Sequence, residues 1–99
     1  MITMYVTYAG DAHTPFNRDH WINVHLPLVR ECWGPRGLVS AAAFFPSGDG
    51  GGLIAICPCV FRDEAAMKAA LSSPETERVM DDVKLVTDVE PKQSLAKPL

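Results

Sequence analysis

The strongest constraint on this chain is the order in which its apolar periodicity changes. Residues 2–8, Ile-Thr-Met-Tyr-Val-Thr-Tyr, are β-branched and aromatic. They alternate, with Ile2, Met4, Val6 and Tyr8 toward one side and Thr3, Tyr5 and Thr7 toward the other, which predicts a strand. Gly10, Asp11 and Pro15 mark a loop over 9–16. From Asn17 to Trp33 the spacing becomes three and four. Trp21, Ile22, His25, Leu26, Leu28, Val29, Cys32 and Trp33 form one broad apolar stripe, the pattern of a helix with one buried side. Residues 38–45 and 53–61 read as two further strands, joined by a flexible glycine-rich turn over 46–52. A second helical region begins at Asp63, a good N-cap, and restarts at Ser73-Pro74, where Ser73 is expected to cap. Residues 84–91 alternate again, with Leu85, Thr87 and Val89 on one side, and read as a fourth strand.

The prolines test this outline. Asn17 is a suitable N-cap and Asp19 suits the first turn, but Pro27 lies inside the first helix. It removes a backbone donor and crowds the carbonyl one turn back, so a kink or break is expected near His25–Pro27. Gly34-Pro35-Arg36-Gly37 should stop the helix. Pro58 falls in a strand expected to be central, which predicts a bulge or an interruption. The tail from Gln93 reads as a frayed end, or as a segment that pairs with another chain.

The resulting order is βαββαβ. Two right-handed crossovers sharing a central hairpin give a ferredoxin-like α+β fold: a four-stranded antiparallel sheet with both helices on one face. The 99 residues make a single domain, 1–99. The other sheet face should be polar in a monomer. Here both faces of the middle strands are apolar: Leu38, Ala42 and Phe44 oppose Val39, Ala41, Ala43 and Phe45, and Ile54, Ile56 and Val60 oppose Ala55, Cys57 and Cys59. A face of that kind is best covered by a second copy of the chain, in a two-fold homodimer.

Composition removes several functions. The net charge is -3 and the nine Lys and Arg residues are scattered, so neither nucleic acid nor an anionic membrane surface is an expected partner. No apolar run approaches the roughly 20 residues of a membrane helix. The N-terminal stretch lacks the basic start and long apolar run of a signal peptide, so a cytoplasmic location is expected. The 3 cysteines fit it, as buried, reduced thiols.

The segment from Phe16 through Asn17, Trp21, His25, Pro27 and Leu28 to Val29 carries a recognisable motif. It has an aromatic residue, a capping Asn or Asp, an aromatic four residues on, and His-x-Pro-Leu. It resembles the EthD-like family, and the opening strand and chain length extend the likeness over nearly the whole chain. Asn17 stands where the family commonly has Asp. The resemblance implies a dimeric α+β barrel. The family's founding member is associated with bacterial catabolism of fuel ethers. Related dimeric barrels include cofactor-free monooxygenases, lactone isomerases, dehydratases and haem-handling proteins.

The candidate catalytic residue is His25, a titratable group in the apolar stripe that suits general acid or base work. A structural histidine bonded to backbone is the alternative. Trp21, Tyr5, Tyr8, Trp33, Phe44 and Phe45 are candidates to line a cavity for a small apolar or aromatic ligand. Asp81 and Asp82 offer His25 a carboxylate, but such a pair more often marks a solvated turn. His20 and His25 stand five apart, about 140° around an α-helix, and so should not share a face. With His13 in a loop, no metal site is expected. The glycine run 50–52 lacks the Lys-Ser/Thr of a phosphate loop. No cofactor is called for. The readings left are a cofactor-free enzyme of oxygenase, isomerase or dehydratase type, a non-catalytic accessory protein for an oxidative degradation system, and a haem-handling protein with His25 as axial ligand.

Overall fold

In a computed structural model that describes residues 1–47 and 50–97, the strands are β1 (Ile2–Ala9), β2 (Leu38–Ala41), β3 (Leu53–Phe61) and β4 (Lys92–Ala96). They form one sheet in the order β2-β3-β1-β4 with every neighbour antiparallel. The alternation in β1 works as expected: Ile2, Met4 and Tyr8 are buried and Tyr5 is exposed. Ala55, Cys57, Cys59 and Phe61 of β3 join them on the inner face, against which the helices pack.

The first helical stretch is built from three kinds of turn. A single α turn, α1 (Arg18–His20), is capped by Asn17, whose Oδ1 accepts from His20 N at 3.1 Å. A wider π turn spans Trp21–His25, and the α-helix α2 follows at Leu26–Trp33. A 3-10 turn, Gly34–Arg36, ends it. Gly37 then takes a φ of 102°, and a Cβ there would lie 2.7 Å from that of Ala66, so both the turn and the close approach need glycine. On the other side of the hairpin, α3 (Glu64–Leu71) is capped by Asp63, whose Oδ1 accepts from Ala66 N at 2.7 Å. Ser73 does not cap the next helix; its hydroxyl donates back to Ala70 O at 2.7 Å.

The fourth strand is not where the alternation of 84–91 placed it. The helix α4 runs from Glu75 to Val86, and β4 lies in the tail expected to fray. Val79, Val83 and Val86 continue the helical spacing and are buried, which outweighs the shorter alternation. Thr87 ends the helix in extended conformation, and its Oγ1 donates to Pro15 O at 2.7 Å. Asn17 N donates to Val86 O at 2.8 Å, so the loop before α1 is stitched to the end of α4. β4 pairs with β1 of its own chain, Met4 opposite Leu95 and Val6 opposite Gln93.

Pro58 does not interrupt its own strand. It sits opposite Tyr5 within an unbroken β3 and interrupts the neighbour instead. Ala42 N donates to Pro58 O at 3.2 Å, but the proline has no N–H to return the bond. β2 therefore stops at Ala41, rather than at 45, and pairing resumes only at an isolated Phe44–Ile56 bridge. A register shift between Leu38 and Ser40 marks its other end. Of the glycine-rich turn, Gly48 and Asp49 lie outside the described residues, as do Pro98 and Leu99 of the tail. Gly51 and Gly52 have φ values of 58° and 86°. No helix among the described residues is long and apolar enough to cross a membrane.

Candidate functional site

The π turn determines which side chains meet. In a continuous α-helix the Pro27 ring would press on the carbonyl of Asn23. Instead the turn ahead of it widens: Leu26 N bonds Trp21 O, five residues back, and the chain gains one residue in that turn. Residues five apart then fall on one side. His20 and His25, expected on different faces, both reach Asp82 of α4. His20 Nε2 lies 3.0 Å from Oδ1, and His25 Nδ1 lies 2.8 Å from Oδ2.

Asp82 is thus a half-buried partner rather than part of a solvated turn, while Asp81 faces outward near Lys84. Burial raises its pKa, but hydrogen bonds from His20 and His25 outweigh that and hold the carboxyl below its ordinary range. For His25 the balance runs the other way. Burial disfavours the imidazolium more than Asp82 favours it, so its pKa lies below the ordinary 6.5. The ring is neutral at pH 7. Because an ionised carboxylate only accepts, Nδ1 carries the proton and Nε2 carries the lone pair. Nε2 makes no hydrogen bond among the described residues.

His25 is one wall of a cavity between the helices and the inner sheet face. Tyr8, Trp21, Val29, Trp33, Val79 and Val83 line it, with Val6, Cys57 and Cys59 as its floor, and Met80, Pro91 and Gln93 complete it. The space that the centres of water-sized molecules can occupy is about 30 Å³. The cavity therefore lies inside one chain, under the helices, and not between two sheets of a barrel. A larger groove of about 360 Å³ runs outside it along α4 and residues 87–91, sharing Met80, Val83 and Pro91 with it.

Of the residues singled out from the sequence, His25, Trp21, Tyr8 and Trp33 come together here. Tyr5 and Phe44 do not line the cavity. They lie on the outer sheet side, 38% and 56% exposed. Phe45 packs instead on Trp21 from behind, edge to face at 5.3 Å, together with Phe16 at 5.3 Å. Cys57 and Cys59 are free thiols 3.7 Å apart. Among the described residues no three His, Cys, Asp or Glu side chains converge as metal ligands.

The sequence offers Asp82 to His25 but favours a solvated turn, and the structure makes the pairing. The signal for it is that Asp82 stands three residues after Val79 and four before Val86, on the buried side of α4.

The strand order and helical layer define the ferredoxin-like α+β class. A family model, the EthD domain, matches residues 14–90, and the chain belongs to the EthD family. Among solved structures, an EthD-like protein from Ralstonia eutropha JMP134 superimposes with a TM-score of 0.85 at 18% identity, over 97% of this chain and 89% of that one. An ethyl tert-butyl ether D (EthD) family protein from Bacillus halodurans C-125 gives 0.77 at 17% identity, over 100% and 99%. An antibiotic biosynthesis monooxygenase gives 0.58 at 16%, also over 100% and 99%. No curated protein matches the chain. At these identities the solved structures establish the shared fold.

Proposed function

We propose that the cavity under the π turn is the active site of a cofactor-independent enzyme. It moves a proton on a small apolar or aromatic metabolite, as an oxygenase, isomerase or dehydratase of this fold must do. The observation that carries this reading is the state of His25. Its Nδ1 is fixed by Asp82 at 2.8 Å, and its unbonded Nε2 belongs to a ring that lines an apolar cavity. That is the arrangement of a general base with an orienting carboxylate. A substrate proton passes to Nε2, Asp82 stabilises the imidazolium that forms, and the proton is returned at another atom.

The test works without a named substrate. A panel of enolisable ketones, unsaturated lactones and alkylphenols is incubated with the protein in D₂O, and deuterium entry at carbon is followed by NMR. Exchange with at least one member is expected, slowed about a hundredfold or more in His25→Ala. Binding without exchange would reduce the protein to an accessory carrier. A Soret band on haem titration, lost in His25→Ala, would instead mark a haem-handling protein.

The same proposal includes a homodimer. Tyr5, Phe44, Ile56, Pro58 and Val60 leave an apolar outer sheet face on which no helix of the described residues packs. Sedimentation should give a dimer, and Ile56→Lys should give a folded monomer. A monomeric wild-type protein would remove the dimer from the proposal.

A further inference from the structure

The mechanism proposed for His25 leaves two polar groups of the same cavity unused. Trp21 is completely buried, and its Nε1 is the one enclosed side-chain nitrogen or oxygen among the described residues with no hydrogen-bond partner. Tyr8 is 1% exposed, and its hydroxyl makes no hydrogen bond within 3.5 Å among the described residues. The two rings meet edge to face at 6.0 Å. The Trp21 indole N–H interacts with the Tyr8 hydroxyl from just outside hydrogen-bond geometry, which offsets part of the upward push that burial gives the phenol's pKa. Buried donors are almost always paired, so two neighbouring unpaired donors in one cavity wall call for an acceptor that arrives from elsewhere.

We infer that Tyr8 O–H and Trp21 Nε1–H together bind one oxygen atom of the ligand, and that this oxygen is an uncharged carbonyl. Both groups donate. Burial pushes the Tyr8 pKa far above its ordinary value, so the phenol keeps its proton at any working pH. No Lys or Arg lines the cavity among the described residues, and Asp82 stands behind His25. A carboxylate or phosphate would lose its water there and meet no cation. A hydrocarbon would leave both donors unsatisfied. A neutral ketone, enone or lactone satisfies both, with its α-carbon in the cavity that His25 lines. This inference deepens the proposed function by naming its substrate class, and it rests on the cavity being the binding site.

The experiment reads binding and not turnover, so it fails independently of the base mechanism. The ¹⁵N-labelled protein has two indole N–H signals. That of Trp33, whose Nε1 donates to Thr76 Oγ1 at 3.0 Å, serves as an internal control. It is titrated with cyclohexanone and with its isostere methylenecyclohexane. The Trp21 signal should move downfield with the ketone, the Trp33 signal should stay, and the ketone should bind about tenfold more tightly than the alkene. Trp21→Phe and Tyr8→Phe should each bring the ratio of the two affinities close to one. His25→Ala should keep it. Equal affinity for the two probes overturns the inference. So does a Trp21 signal that ignores bound ketone, or saturable binding of neither probe. Tighter binding of cyclohexanecarboxylate than of the ketone overturns the neutral-carbonyl assignment.

Discussion

Trp21 and Trp33 lie on one helical stretch, both buried and both against the same cavity, yet their indole N–H groups end differently. Trp33 Nε1 donates to Thr76 Oγ1, which donates to Ala70 O at 2.8 Å, where Ser73 Oγ also donates. That network closes the gap between α2, the end of α3 and the start of α4. At the other end neither Trp21 Nε1 nor His25 Nε2 has a hydrogen-bond partner among the described residues. The same residue type, in the same layer, completes the interior at one end and leaves it incomplete at the other. The Trp33 end should therefore carry stability and the Trp21 end should carry binding.

The sharpest break in that contrast would come from truncating the closed end. Trp33→Ala should cost about 3–5 kcal/mol in urea denaturation. Thr76→Val strands the Trp33 N–H and removes one donor to Ala70 O, and should cost about 1–3 kcal/mol. Trp21→Phe gives up no hydrogen bond and keeps an aromatic ring, so its cost should stay under about 1.5 kcal/mol. If Trp21→Phe proves as damaging as Trp33→Ala, the two ends do not differ.

Acid separates the ends more finely. His25 has a depressed pKa, so below 6.5 the unfolded chain binds a proton that the folded chain refuses. Stability is complete above that value and declines as pH falls toward the folded pKa. Asp82, also held low, adds a second loss below its ordinary 3.8, as pH falls through its own folded pKa. The Trp33 network contains no titrating member. Thr76→Val should thus cost the same at pH 8 and pH 5.5, whereas the cost of Asp82→Asn should change between them. The smallest effect belongs to Pro27→Ala, expected within about 1 kcal/mol, because Pro27 stands in the first turn of α2, where its missing N–H costs little.

Much of this was legible in the residues alone. Asn17 and Asp63 announce their helices because a capping side chain acts within three residues of itself. The long stripe from Trp21 to Trp33 announces its buried side. What failed were features decided at a distance. Leu85, Thr87 and Val89 alternate, but the valines of α4 had a core to fill and Thr87 had Pro15 to bond. β4 gave no warning, since an edge strand whose residues are all exposed has no burial pattern to read. The break in β2 was written at Pro58, in a different strand. Tyr5 and Phe44 were candidates by residue type, and only the pleat of the sheet shows that they turn outward. The pairing of His20 and His25 on Asp82 was hidden by the assumption that every helical residue advances about 100°.

That extra residue in the turn Trp21–His25 has an evolutionary consequence. A π turn is an insertion that the helix tolerates without losing either flank. Deleting one codon between Ile22 and Val24 would let ordinary α pairing close across the gap. The two histidines would then stand four apart, still on one face of an α-helix, and both would keep Asp82. What the shorter turn loses is room for Pro27, whose ring would press on the carbonyl four residues back. The extra residue and the proline should therefore be gained and lost together among EthD chains, while the carboxylate between the two histidines outlasts either change.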